Sequence, residues 1–284
     1  MLNKIKNKYI LKEIFNNIKN KRKLKILKHN KALMSQINIT KKDFEEYQSL
    51  KKFNQEFNIN LDDTDIEELN LKQKISLRNL QYLSLVEFKN LKILNLTFNG
   101  ISYFNVLGRA NFQNLQELNL GYNRIKNIHA LTKLNFPLLE KLNLESNLIV
   151  NINLLGKVNF PKLKILNFQY NLIEDINVLE EVNFPELEIL NLCRNSITDI
   201  NILEKVNFKN LIILNLSKNY LSFINILTKV NFPELKELYL YNNQLSESEV
   251  LKIIKNSNFK KLDKIVLENE ENGGDGEGNE LDYY

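Results

Sequence analysis

The chain is 284 residues long, with 26% charged and 43% hydrophobic residues and a formal net charge of +5. That length can bury a large core, while no apolar run approaches the roughly 20 residues of a membrane-spanning helix. Nor does a compact apolar stretch stand behind the N-terminus, as a secretory signal would require. The single cysteine, Cys193, excludes an intrachain disulfide framework and fits a reducing compartment, so a cytoplasmic or nuclear location is expected.

The charge is unevenly spread. Residues 1–31 carry eleven Lys/Arg against Glu13 alone, residues 268–284 carry seven Asp/Glu and no Lys/Arg, and the stretch between is nearly neutral. Electrostatic function therefore belongs to an end. The basic run suits phosphates or acidic lipids, but its aromatic interleaving is too thin to favour nucleic acid.

Residues 1–60 read as a small helical domain. Tyr9, Ile10, Ile14, Phe15 and Ile18 mark one amphipathic stretch, and Leu24, Leu27 and Met34 mark a second. A third carries Phe44, Tyr47 and Leu50, with Thr40 as its expected N-cap. The rhythm and length of residues 9–36 are similar to an F-box, although Lys8 and Tyr9 stand where that family opens with Leu-Pro. The resemblance implies an adaptor-binding site and a role as substrate receptor of a cullin-type ubiquitin ligase. Without it, the block reads as a cap on the residues C-terminal to it.

Residues 61–267 read as one array. Ile66, Leu69 and Leu71, and then Leu80, Leu83 and Leu85, both have the form of strand openings, at irregular spacing. From Leu91 the pattern Leu-x-x-Leu-x-Leu restarts every 24 residues, at Leu115, Leu139, Leu163, Leu187, Leu211 and Leu235. Such a period is the signature of a solenoid. In the copy opened by Leu163, Leu166 and Phe168 alternate with Ile165 and Asn167, as a short strand does. Asn171 recurs as Asn99, Asn123, Asn147, Asn195, Asn219 and Asn243; a polar residue fixed in an apolar frame implies bonds to the turn's backbone.

Ile176, Leu179 and Val182 then suit a helical turn, with Asn177 as N-cap and Asn183 as left-handed C-cap. Phe184 closes the turn. All four prolines (Pro137, Pro161, Pro185 and Pro233) come directly after this Phe position and mark where the next strand begins. The pattern resembles the leucine-rich repeat family and its shorter intracellular subclasses. The resemblance implies an α/β solenoid with a parallel concave sheet and short convex helices.

A terminal coil needs a cap. Ser246 with Glu249 forms a capping-box pattern before Val250, Leu251, Ile253 and Ile254, and Leu262, Ile265 and Leu267 complete a last strand. Residues 268–284 lack apolar periodicity and are expected to be a disordered acidic tail.

Two histidines and one cysteine leave little material for catalysis, and no metal-ligand spacing or phosphate loop occurs, so the chain reads as a non-enzyme without cofactors. His129 replaces the Asn of the helical-turn start, and Cys193 falls on an outward strand-side position. The binding signal lies on the outward face. Ile93, Ile165, Ile189 and Ile213 make an apolar row broken by Glu117 and Lys141; Asn167 and Asn191 belong to an Asn row that ends in Tyr239. Phe98, Tyr122, Tyr170, Tyr220 and Tyr241 flank them. An exposed apolar strip with aromatic neighbours marks an interface, so the chain is expected to act as a monomeric scaffold gripping a protein or peptide on this face.

Overall fold

A computed structural model describes residues 41–62, 64–74 and 80–268. Among these, nine three-residue strands form one parallel sheet in strict chain order. They are β1 (Glu68–Asn70), β2 (Ile93–Asn95), β3 (Glu117–Asn119), β4 (Lys141–Asn143), β5 (Ile165–Asn167), β6 (Ile189–Asn191), β7 (Ile213–Asn215), β8 (Glu237–Tyr239) and β9 (Lys264–Val266). Register pairs the same repeat position on each neighbour, as in Leu166↔Leu190↔Leu214. The first step is one residue longer than the rest and the last is three longer.

Each strand is short because it is stopped at both ends. Before it, the Leu163 N–H donates to the Phe160 carbonyl at 3.1 Å, closing a tight turn with Pro161 in second position, where its fixed φ is already correct. After it, Asn167 Oδ1 accepts the Gln169 N–H at 2.9 Å, and the same bond recurs at Asn95, Asn119, Asn143, Asn191 and Asn215. The outward Asn row is therefore a series of turn-formers, each accepting one bond within its own coil.

The chain then passes through the left-handed region at Phe98, Tyr122, Ser146, Tyr170, Arg194, Lys218 and Asn242, with φ between 51° and 58°. For non-glycine residues this conformation costs on the order of 1–2 kcal/mol each. The inner Asn holds it. Asn147 donates from Nδ2 to the Leu120 carbonyl of the preceding coil and to Leu144 of its own, both at 3.0 Å; its Oδ1 accepts the Ile125 N–H at 2.9 Å. Asn123, Asn171, Asn195 and Asn219 repeat the set, all buried.

Behind the ladder, the short convex helices are 3-10 turns such as Asn177–Glu180. Asn177 is not their cap. Ile176 holds the N-cap position without a side-chain bond, and the Asn177 N–H instead donates to Asp175 Oδ1, two residues upstream, at 2.8 Å. Asn127, Asn151 and Asp199 likewise accept the N–H of His129, Asn153 and Asn201 through Oδ1. The expected left-handed C-cap at Asn183 is also replaced, since the turn ends at Glu181 in right-handed geometry. His129 is the exposed first residue of its turn.

Phe88, Phe112, Phe136, Phe160, Phe184, Phe208 and Phe232 stack as a buried spine within one continuous core. That core begins in the N-terminal block. Helix α1 (Lys41–Phe57) buries Leu50, Phe53 and Phe57 on one face, and Phe53 meets Phe88 edge-on at 5.3 Å. The helix thus covers the first coil. Strand β1 takes the Leu69 segment, whereas Leu80–Leu85 forms a convex 3-10 turn, so the second opening at 80–85 is not a strand. At the far end helix α2 (Glu247–Lys255) starts at Ser246, whose Oγ accepts the Glu249 N–H at 3.4 Å, and buries Val250. The F-box-like block at 9–36, Thr40, the side chains of Phe44 and Tyr47, and the tail beyond residue 268 lie outside the described residues.

The two Asn rows should differ in their weight on stability. In urea melts Asn147→Ala should cost about 3 kcal/mol, because buried donors and acceptors on two coils lose partners, while Asn143→Ala should cost about 1 kcal/mol for its single turn bond. Ser146→Gly should leave stability unchanged or raise it by up to about 1 kcal/mol, and Ser146→Val should lower it, since only glycine enters the left-handed region without strain.

Candidate partner-binding face

Inward residues of each strand (Leu166, Leu190, Leu214) are fully buried, which leaves the alternate positions on the concave side. Ile165, Ile189 and Ile213 are half-buried and directly paired across β5, β6 and β7. Adjacent strands lie about 4.8 Å apart, so these side chains form one strip. Ile93 is half-buried too but separated from them by Glu117 and Lys141, which pair with each other at 3.5 Å. Among the described residues α1 sits on the first coil and α2 on the last, and no helix lies on the concave side.

The flanking aromatics divide by position. Phe98 and Tyr122, both left-handed, stack at 4.3 Å with planes 11° apart, and Tyr122 donates its hydroxyl to Glu145 Oε1 at 3.1 Å. Tyr170 lies one coil away from Arg194, whose guanidinium carbon sits 4.3 Å above its ring. Lys72 and Lys218 cover Phe98 and Tyr241 at 4.9 Å and 5.4 Å. Tyr220 comes directly after a ladder Asn and is exposed.

Three expected contact residues are committed to the fold. Asn191 is 3% exposed, accepting from the Cys193 N–H and donating to Gln169 Oε1, and Tyr239 is 5% exposed with its hydroxyl on Glu237. Asn167 stays half-buried but is occupied by the Gln169 N–H. Neither Asn191 nor Tyr239 offers area to a partner. Sequence reasoning also missed the cations Arg194 and Lys218. Their signal is positional, since both stand immediately before a ladder Asn, as Phe98, Tyr122 and Tyr170 do.

Cys193 is not exposed, although its position points to the concave side. Tyr241 reaches from two coils away, past fully buried Ser217, to place its hydroxyl 4.0 Å from the Cys193 sulfur. Burial pushes the thiol upward, against the smaller opposing influence of Tyr241, Lys218 and Arg194. Burial likewise raises the Tyr241 phenol. On the opposite edge Lys164 is raised by its 2.9 Å hydrogen bond to Glu140. Among the described residues no His/Cys/Asp/Glu group is arranged to hold a metal, and no helix is long and apolar enough to cross a membrane.

Comparisons agree with this architecture. A family model described as leucine rich repeat matches residues 185–245. Among solved structures, internalin C2 from Listeria monocytogenes is similar at 23% identity and a TM-score of 0.55, covering 76% of this chain and 91% of that one. A second Listeria monocytogenes internalin, inlF, is similar at 20% identity and a TM-score of 0.50, over 72% and 67% of the two chains. No match was found among curated proteins. The chain has the leucine-rich repeat solenoid fold, with the frame matched at 185–245 continuing in register along the parallel sheet.

Because the thiol is buried and held neutral, native Cys193 should react with a thiol reagent at least about tenfold more slowly than in the urea-unfolded chain. Tyr241→Ala should remove much of that protection. Rapid labelling of the native protein would show that Tyr241 does not cover the sulfur.

Proposed function

We propose that the protein is a non-catalytic scaffold that binds a protein or peptide partner on the concave face, centred on Ile165, Ile189 and Ile213. The supporting observation is the strip itself: three β-branched apolar side chains in register on adjacent strands, on the side opposite the core. Elsewhere on this sheet the equivalent row is charged except at Ile93, with Glu68, Glu117, Lys141, Glu237 and Lys264. A sheet face that only met solvent would gain nothing from this local change, whereas an apolar centre within a polar rim is the usual anatomy of an interface. Tyr170 and Tyr241 border the strip and add large contact area at little entropic cost.

Ile189→Glu should weaken the principal partner by more than about 2 kcal/mol, the size expected of a desolvated interface centre. The melting temperature should change little, since Ile189 is directed away from the core. Affinity purification with quantitative mass spectrometry, then titration of the recovered partner and thermal melts of the same variant, decides it. Undiminished binding would move the interface off the concave face, and a large fall in melting temperature would make Ile189 a core residue.

A further inference from the structure

The concave face is electrically polarised along the array. Over β1 to β5 three cations on or beside it already have carboxylates: Lys92 pairs with Glu67 at 2.9 Å, Lys141 with Glu117 at 3.5 Å and Lys164 with Glu140 at 2.9 Å. Among the described residues Lys72 of the first coil lies alone over Phe98. In the coils of β6 and β7 the situation differs. Arg194 and Lys218 occupy the same position on neighbouring coils, and among the described residues neither has a carboxylate within ion-pair distance. Their side chains instead lie over Tyr170 and Tyr241. Both backbones are left-handed, with φ of 53° and 54°, fixed from beneath by the ladder bonds of Asn195 and Asn219. Two like charges carried by neighbouring coils repel one another, with Arg194 over Tyr170 and Lys218 over Tyr241, and an anion placed between them relieves that repulsion.

These cations run parallel to the isoleucine strip. Five residues separate Ile189 from Arg194, a chain path of at most roughly 17 Å. A single helix, about 10–12 Å across with its side chains, or an extended strand therefore touches both rows at once. We propose that the face spanning β5 to β8 selects an acidic amphipathic peptide segment, with its apolar side chains on Ile165, Ile189 and Ile213 and a carboxylate between Arg194 and Lys218. The inference rests on the concave-face reading and adds the partner's chemistry and polarity to it. The peptide's acidic residues meet the coils of β6 and β7, because among the described residues Arg194 and Lys218 stand there without carboxylates, whereas Lys141 and Lys164 are already paired. Single-stranded nucleic acid would also use rings and cations. It needs a continuous basic track for its phosphates, however, and Glu188 and Glu237 interrupt this one.

The test pans a phage-displayed random-peptide library against the immobilised full chain and measures selected peptides by fluorescence anisotropy. The expected consensus pairs Asp or Glu with a large apolar residue, and affinity should fall with added salt. The double variant Arg194→Glu, Lys218→Glu should weaken these peptides about tenfold or more, with an unchanged melting temperature, while Arg194→Lys retains most of the affinity. No enrichment, a neutral or basic consensus, or acidic peptides held equally by the charge-reversed protein would overturn the inference. So would a labelled oligothymidine that binds more tightly than every selected peptide. Peptides lost with Ile189→Glu but kept by the charge-reversed protein refute the acidic preference and leave the concave site standing. Peptides unaffected by either variant refute both.

Discussion

The structure depends on the way each coil leaves the sheet. Three residues after the inward Leu or Phe, the backbone must turn sharply between two apolar layers, where water is absent and every N–H and C=O needs a partner. One buried asparagine per coil supplies those partners. Asn195, for example, donates to Phe168 of the coil before and to Leu192 of its own, both at 3.0 Å, and Asn171 accepts the Ile149 N–H. An Asn amide has two donors and an acceptor on one short rigid stem, which aspartate and serine lack. The ladder thereby does two things at once: it stabilises a left-handed turn in non-glycine residues, and it locks consecutive coils in register.

That constraint separates the fold from the binding surface. Positions that point inward, that stop the strand or that form the ladder are fixed by hydrogen bonding and packing, and they vary little along the array. The residue just before the ladder Asn serves the fold through its backbone, so its side chain can differ from coil to coil: Phe98, Tyr122, Ser146, Tyr170, Arg194, Lys218 and Asn242. The first strand residue varies as well, from Glu117 through Lys141 to Ile165. Two variable rows on an invariant frame carry the difference between one end of the concave face and the other. Charges beside β1 to β5 pair across neighbouring coils, as Lys141 does with Glu117, whereas β5 to β7 present Ile165, Ile189 and Ile213 beside Arg194 and Lys218.

Much of this was legible in the sequence because a 24-residue period repeats each cause many times over. The strand alternation, the buried Asn, the Phe spine and the prolines at the turn before the strand each have a local physical origin, and each falls where its residue type requires. What was not legible depends on contacts across coils or on competition between near neighbours. Asn177 has the right chemistry to cap its turn, but Ile176 holds the N-cap position and Asp175 accepts the N–H of Asn177 itself. Leu80, Leu83 and Leu85 match a strand in spacing, yet the parallel pairing of Leu69 with Leu94 leaves them to the convex side. Cys193 is buried with the hydroxyl of Tyr241, 48 residues distant, 4.0 Å from its sulfur, a contact that no local pattern reveals. The outward Asn row was half-read: its alternation is correct, but Asn191 and Asn215 are buried turn-formers and present little to a partner.

The central claim is that the asparagine ladder, and not the strands alone, holds the solenoid together as one cooperative body. Native-state hydrogen exchange of the full chain tests it at the Ile125, Ile149, Ile173 and Ile197 amides, whose acceptors are the Oδ1 atoms of the ladder residues on the next coil. If the ladder carries the structure, these four amides exchange only through the largest opening, with protection equal to that of the strand amides of Leu142, Leu166 and Leu190. Exchange at these sites as fast as in exposed turns, while the strand amides stay protected, would contradict the account.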